Sequence, residues 1–378
     1  MRVSVLQENL AKGLGIATRA VGSRPSMPVL GNVLLAAEDT RLKLSATNLE
    51  LGITTWIGAK VEGEGAITVP ARTFADLVNT LSPERVDLEL DERTHTLNMR
   101  CNATTANIKG IDASEFPVVP EAEAETGIAV PAETFREMIE QVVFAAAKED
   151  NRPILTGILV NIEKNTFTMV GADGYRLALR TAQLERPVDS PVSLIIPART
   201  LGELSRIIGE NDTNVYMSIP PGRSQVMFHL ENADIVSQLI DGKFPPYEQI
   251  IPKAHNTTTQ VYTGEFLRAC KRSEIFARDA ANTTRVRITP GESNLVPGQM
   301  HVIAQSQEKG DNEGVLEASV DGPGLEVSFN VRYLIDVLSV IKEDQVVLET
   351  NGASSPGVIK PLGRDDFVYV VMPMSVTR

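Results

Sequence analysis

One helical segment, written three times, constrains this chain more than any other feature. Val69-Pro70-Ala71-Arg72-Thr73-Phe74-Ala75-Asp76-Leu77 returns as Ile196-Pro197-Ala198-Arg199-Thr200-Leu201-Gly202-Glu203-Leu204, and again as Phe329-Asn330-Val331-Arg332-Tyr333-Leu334-Ile335-Asp336-Val337. Each copy carries an arginine, an apolar residue two positions on, and an acid two positions after that. Apolar residues then fall at Phe74, Leu77, Val78 and Leu81, at Leu201, Leu204 and Ile208, and at Leu334, Val337, Leu338 and Ile341, with only Ser205 breaking the series. That spacing is one face of an amphipathic helix. Equivalent positions 74, 201 and 334 lie at near-equal intervals, so the chain reads as three similar units.

A second helix opens each unit. Phe135, Met138, Ile139, Val142, Val143 and Ala146 form an apolar stripe, Phe266, Ala269 and Cys270 begin another, and Leu10, Leu14, Ala17 and Val21 a looser one. Between helices the sequence alternates with period two, as in Leu42-Lys43-Leu44-Ser45-Ala46 and Phe167-Thr168-Met169-Val170. Alternation marks strands with one buried face. The expected class is α+β, with antiparallel sheets and two helices in each unit. The acidic stretch Glu121 to Gly127 and the stretch Lys253 to Thr258 read as linkers, giving domains over 1–122, 127–252 and 253–378.

Composition excludes several classes. No run of 18 apolar residues exists, and Met1 to Gln7 reads as a strand rather than a signal peptide, so the cytoplasm is expected. Cys101 and Cys270 stand far apart and the four histidines are dispersed, so neither a disulfide scaffold nor a structural metal is expected. No cofactor is expected either. The formal net charge is −13, the wrong sign for a protein that holds DNA by neutralising phosphates.

Geometry offers a way round the charge. A domain of ~125 residues is roughly 36 Å across. Three such spheres in a closed ring leave almost no hole, whereas six leave one of roughly 35 Å, wide enough for a duplex of roughly 20 Å. Two copies of this chain would supply six, and two-fold dimers are the commonest closed oligomers. A ring linked topologically to DNA needs only weak contacts from a basic lining. Candidates are Lys12, Arg19, Arg72, Arg136, Lys148, Arg199, Arg206, Lys271, Arg272, Arg332 and Lys342.

The segment from Ser23-Arg24-Pro25 to Val33-Leu34-Leu35 resembles the first-domain signature of bacterial DNA polymerase III beta subunits, the beta sliding clamps. Asn151-Arg152-Pro153-Ile154-Leu155-Thr156-Gly157, Ala172-Asp173-Gly174-Tyr175-Arg176-Leu177-Ala178, Phe244-Pro245-Pro246-Tyr247 and Val370-Val371-Met372-Pro373-Met374 carry the likeness through the remaining units in order. The resemblance implies three clamp domains per chain and a head-to-tail homodimer with pseudo-six-fold symmetry. Such a ring is non-catalytic, encircles double-stranded DNA irrespective of sequence, and serves the replicative polymerase, the clamp loader and other clamp-binding proteins. It implies a partner-peptide pocket at Leu155, Gly174, Tyr175, Arg176, Leu177, Pro245, Ile250, Val370, Met372, Pro373 and Met374. DNA contacts are implied at Arg24, Lys148, Asn151 and Arg152, and a dimer seam at Ala106, Ile108, Ile275 and Phe276. Gln249 and Ser375 stand where the family often has arginine, and Ala106 where it often has an aromatic. The chain also runs to Thr377-Arg378, past the usual end.

Two other classes compete. An enzyme would need a catalytic motif, and no G-x-x-x-x-G-K-[ST], G-x-S-x-G or H-E-x-x-H occurs. Asp173-Gly174, between two strand-like runs, reads as a hairpin turn rather than a catalytic carboxylate. A repeat scaffold that binds proteins but never DNA shares the acidity and the repeats. Only topological retention on DNA separates it from a clamp.

Overall fold

A computed structural model describes residues 1–22, 24–122, 127–149, 151–210, 212–222, 224–292 and 296–375. Ser23, most of the first expected linker and Thr377-Arg378 lie outside the described residues.

The two helices expected in each repeat are present. They are α1 (Gln7–Ala17) and α2 (Ala71–Asn79), α3 (Ala132–Val143) and α4 (Ala198–Ile207), and α5 (Thr263–Ala277) and α6 (Val331–Val340). The helices α2, α4 and α6 each begin directly after a strand that ends in Pro70, Pro197 or Asn330. Proline fits here, because the first helical N–H groups have no partner within the helix to lose. Asn330 does more, since its side chain accepts from the Arg332 N–H at 3.0 Å. The predicted face is buried at Phe74 and Val78, at Leu201 and Leu204, and at Leu334, Val337 and Leu338, while Leu77 is only half-buried.

All strand pairings are antiparallel. Among the described residues they form sheets of five, nine and twelve strands. The larger two each run through more than one repeat. In the nine-stranded sheet Leu51–Gly58 pairs with Ala233–Gln238, Ile53 opposite Ile235. In the twelve-stranded sheet Arg176–Gln183 pairs with Phe367–Val371, Leu177 opposite Val370. The repeats are thus welded by main-chain hydrogen bonds, which satisfy strand edges that would otherwise be open.

This welding explains why the chain divides into two compact units, not three: 1–136 with 203–239, and 137–202 with 240–378. The middle repeat gives half its strands to each. The first unit has a core where α1 and α2 meet strands of the five-stranded and nine-stranded sheets, around Leu10, Leu14, Val33, Leu44, Phe74 and Val86. Both cysteines are buried, and burial pushes the Cys270 thiol far up, so it stays protonated. No helix is long and apolar enough to cross a membrane.

Within the second unit a charged cluster reinforces the weld. Arg364 forks onto Asp366 with Nε–Oδ1 and Nη2–Oδ2 distances of 2.9 Å, and also reaches Glu137 and Glu343. Buried Arg180 donates to the same carboxylate. Partial burial opposes ionisation of Asp366, but the Arg364 and Arg180 guanidiniums outweigh it and hold its carboxyl below the usual range. A depressed carboxylate contributes stability above its unfolded pKa and loses it as pH falls through the folded value. Asp366→Asn is therefore expected to cost about 1 kcal/mol at neutral pH. In urea titrations across pH, the gap between variant and parent should close in acid; a pH-independent gap refutes the ionic account.

Candidate functional site

The second unit holds an apolar cluster built largely on strands of its twelve-stranded sheet. Its buried floor includes Leu159, Leu177, Ile195, Phe244, Val358 and Val370, with Ile154, Leu155, Tyr247 and Ile251 packed against it. Leu155 sits in the short turn Pro153–Thr156, and Leu177 and Val370 face each other across the repeat junction. These three are largely floor.

The rim is different. Tyr175 is 59% exposed, Ile250 43% and Met372 38%, and Pro245 is also exposed. The Met372 N–H donates to the Tyr175 carbonyl at 2.9 Å, tying the end of one repeat to a loop of another. Ile250 is carried by the turn Tyr247–Gln249, whose Tyr247 packs on the floor. Gln249 is exposed in that turn and Ser375 is exposed on the tail. Met374 is held by its N–H to the Ser328 carbonyl at 2.8 Å, while its sulfur accepts from the Thr283 hydroxyl at 3.6 Å. Met372, Pro373 and Met374 thus form a wall anchored at both ends.

Arg176 fixes the rim's shape. It is only 7% exposed, and each arm of its guanidinium has a partner. Nε meets Asp173 at 3.0 Å, Nη1 meets Asp336 of α6 at 2.5 Å, and Nη2 donates to the Phe144 carbonyl at 2.7 Å. The plane lies over the Tyr333 ring at 4.3 Å and the Phe144 ring at 5.5 Å. Burial alone would ease its proton off. The Tyr369 hydroxyl and the Asp336 and Asp173 carboxylates reverse that, leaving the guanidinium pKa above its ordinary value. Asp173 also accepts from the N–H groups of Tyr175 and Arg176, at 2.8 and 3.0 Å, closing the hairpin turn expected at Asp173-Gly174. Gly174 sits at φ +92°, and a Cβ there would lie 2.4 Å from the Arg152 guanidinium.

Sequence reasoning missed Phe144, Tyr333 and Asp336. The recurring acid of the helical segment was visible, but nothing in the pattern named its partner. Arg152, expected at DNA, is exposed and donates to the Asp173 carbonyl at 3.2 Å. Asn151 donates to Glu149 at 3.2 Å, and Lys148 and Arg24 are exposed. At the expected dimer seam, Ile275 is 55% exposed and Phe276 half-buried, whereas Ile108 and Ala106 already pack against the first unit's core. Of the candidate lining residues, Arg19 and Arg206 pair with Glu203, Arg332 with Glu274, and Arg136 donates to the Ile208 carbonyl. Lys12, Arg72, Arg199, Lys271, Arg272 and Lys342 have no ion-pair partner among the described residues.

The repeats and their welded sheets match one family throughout. Residues 1–120, 129–246 and 248–375 match the N-terminal, central and C-terminal domains of the DNA polymerase III beta subunit. The beta sliding clamp of Haemophilus influenzae is 32% identical over 99% of this chain and all of its own length. That of Synechococcus elongatus is 30% identical over the whole of both chains. The solved sliding clamp of Bacillus subtilis superposes with a TM-score of 0.91 at 28% identity, covering both chains fully. The chain is a sliding clamp, built from three α+β domains, and an accessory protein of DNA replication rather than an enzyme. It belongs to the DNA polymerase III beta subunit family.

Removing the Arg176 guanidinium leaves the Asp173 carboxylate and the Phe144 carbonyl without their donor. Arg176→Ala is expected to lower stability by about 2–4 kcal/mol. The Tyr175 and Arg176 amides should exchange hydrogen faster as the turn loosens. Unchanged exchange at those amides would show that the guanidinium does not order the loop.

Proposed function

We propose that two copies of this chain close head to tail into a ring around double-stranded DNA, and that the ring tethers the replicative polymerase and other partners through the apolar basin. The observation that carries the tether is the rim: Tyr175, Ile250 and Met372 stand in water beside an apolar floor. Contiguous exposed apolar surface of this kind marks a binding site, and methionine lets one surface fit several peptides. Leu155, Gly174, Arg176, Leu177, Pro245, Val370, Pro373 and Met374 complete the basin as floor, hinge and wall. The domain borders of this reading are 1–122, 127–252 and 253–378.

Encirclement reconciles the charge with the duplex. At −13 overall, the protein gains little from phosphate neutralisation, and a linked ring needs little. Arg24, Lys148, Asn151 and the unpaired helical cations supply weak, mobile contacts. Arg152, exposed beside the Asp173-Gly174 turn, adds to these contacts. The seam uses Ile275 and Phe276 against the edge bearing Ala106 and Ile108.

Loaded onto a nicked circular plasmid by its clamp loader, the protein should stay bound through gel filtration and run off after linearisation. Equal retention on both forms sinks encirclement and leaves a protein-binding scaffold. Tyr175→Ala combined with Met372→Ala should weaken a polymerase-derived peptide at least about tenfold, as expected when buried anchors are removed. Native mass should not change, and a peptide that binds the variant as well as the parent sinks the basin assignment.

A further inference from the structure

The acid closing each copy of the helical segment is the sixth residue of its helix: Asp76 in α2, Glu203 in α4 and Asp336 in α6. Two of the three hold a guanidinium from the preceding repeat. Glu203 binds Arg19 at 2.9 Å, and Asp336 binds Arg176 at 2.5 Å. Asp76 is exposed, and its carboxylate has no partner among the described residues. Asp76 stands in the first of the three repeats.

The cation comes from one of two positions in a repeat. One is at or just past the end of the first helix, two residues beyond a buried series. That series is Leu10, Leu14 and Ala17, then Phe135, Ile139 and Val142, then Phe266, Cys270 and Ser273. Counting on gives Arg19, Phe144 and Ile275. The other position closes a turn built alike in all three repeats. Asn48 Oδ1 accepts from the N–H groups of Glu50 and Leu51, at 3.0 and 2.7 Å. Asp173 Oδ1 accepts from Tyr175 and Arg176 in the same register, and Ser306 Oγ from Glu308 and Lys309 at 3.3 and 3.2 Å. Those turns end at Leu51, Arg176 and Lys309.

The two positions trade off. Where the helix offers Arg19 the turn has Leu51; where it offers Phe144 or Ile275 the turn has Arg176 or Lys309. Each repeat therefore presents one cation for the acid of the repeat that follows. Lys309 is half exposed and meets Asp279 of its own repeat at 2.6 Å. Arg176 is likewise shared, between Asp173 of its own repeat and Asp336 of the next.

We infer that Asp76 of one copy binds Lys309 of a second copy, so that the seam between copies repeats the ion pair of the two seams within each chain. This rests on the head-to-tail ring proposed above. Exposed Ile275 lies at the equivalent of Arg19 and Phe144, where a seam is expected, and Lys309 supplies the charge that Ile275 lacks.

The dimer dissociation constant of the full chain, read by light scattering over a dilution series at low salt, tests the pairing. Asp76→Lys and Lys309→Glu should each raise it by about tenfold or more, the scale of a close interfacial charge pair. The double exchange should recover most of the loss, and circular dichroism should give all variants the parent's fold. A dimer indifferent to both single changes overturns the pair while the ring stands. Two weakened single variants with no recovery in the double overturn it too. A parent that is monomeric at every concentration overturns the ring and the pair together.

Discussion

Main-chain pairing across repeat boundaries is the constraint on which the rest depends. A single repeat of this design ends in strands with unpaired N–H and C=O groups, an arrangement that invites aggregation. Here Leu51–Gly58 meets Ala233–Gln238, and Arg176–Gln183 meets Phe367–Val371, so each junction is made in the same hydrogen bonds as the sheet interior. Side chains then specialise around a junction already fixed. At one, Leu177 and Val370 join a buried apolar cluster while Arg176, one residue away, orders the adjoining loop.

Arg176 shows how a buried charge is retained at such a junction. Isolated burial of a guanidinium is costly, and only full pairing offsets it. The partners come from four segments: the end of α3 through Phe144, the hairpin turn through Asp173, and α6 through Tyr333 and Asp336, with Tyr369 beneath. The exposed Tyr175 is thus carried on a loop ordered by residues from distant segments.

Much of this was legible in the sequence, for identifiable reasons. Helical and strand periodicity are local, so α2, α4 and α6 and the alternating strands could be read from spacing alone. The turn at Asp173-Gly174 announced itself because only a few residue types close such a turn. What stayed hidden was pairing between distant segments. Nothing in Asp336 names Arg176, and nothing in Arg152 shows that it lies against Gly174. The division into two compact units was hidden for the same reason, since a repeat boundary in sequence says nothing about which sheet each strand joins.

That division carries a consequence for how such a chain can change over generations. The middle repeat lends strands to both neighbours, so it cannot be cut out, shuffled or replaced without opening both larger sheets. An insertion at a loop tip is absorbed locally, but loss or gain of one whole repeat would leave two sheets unfinished at once. The repeat number is locked by shared architecture, because each of the two larger sheets is completed by strands of the middle repeat.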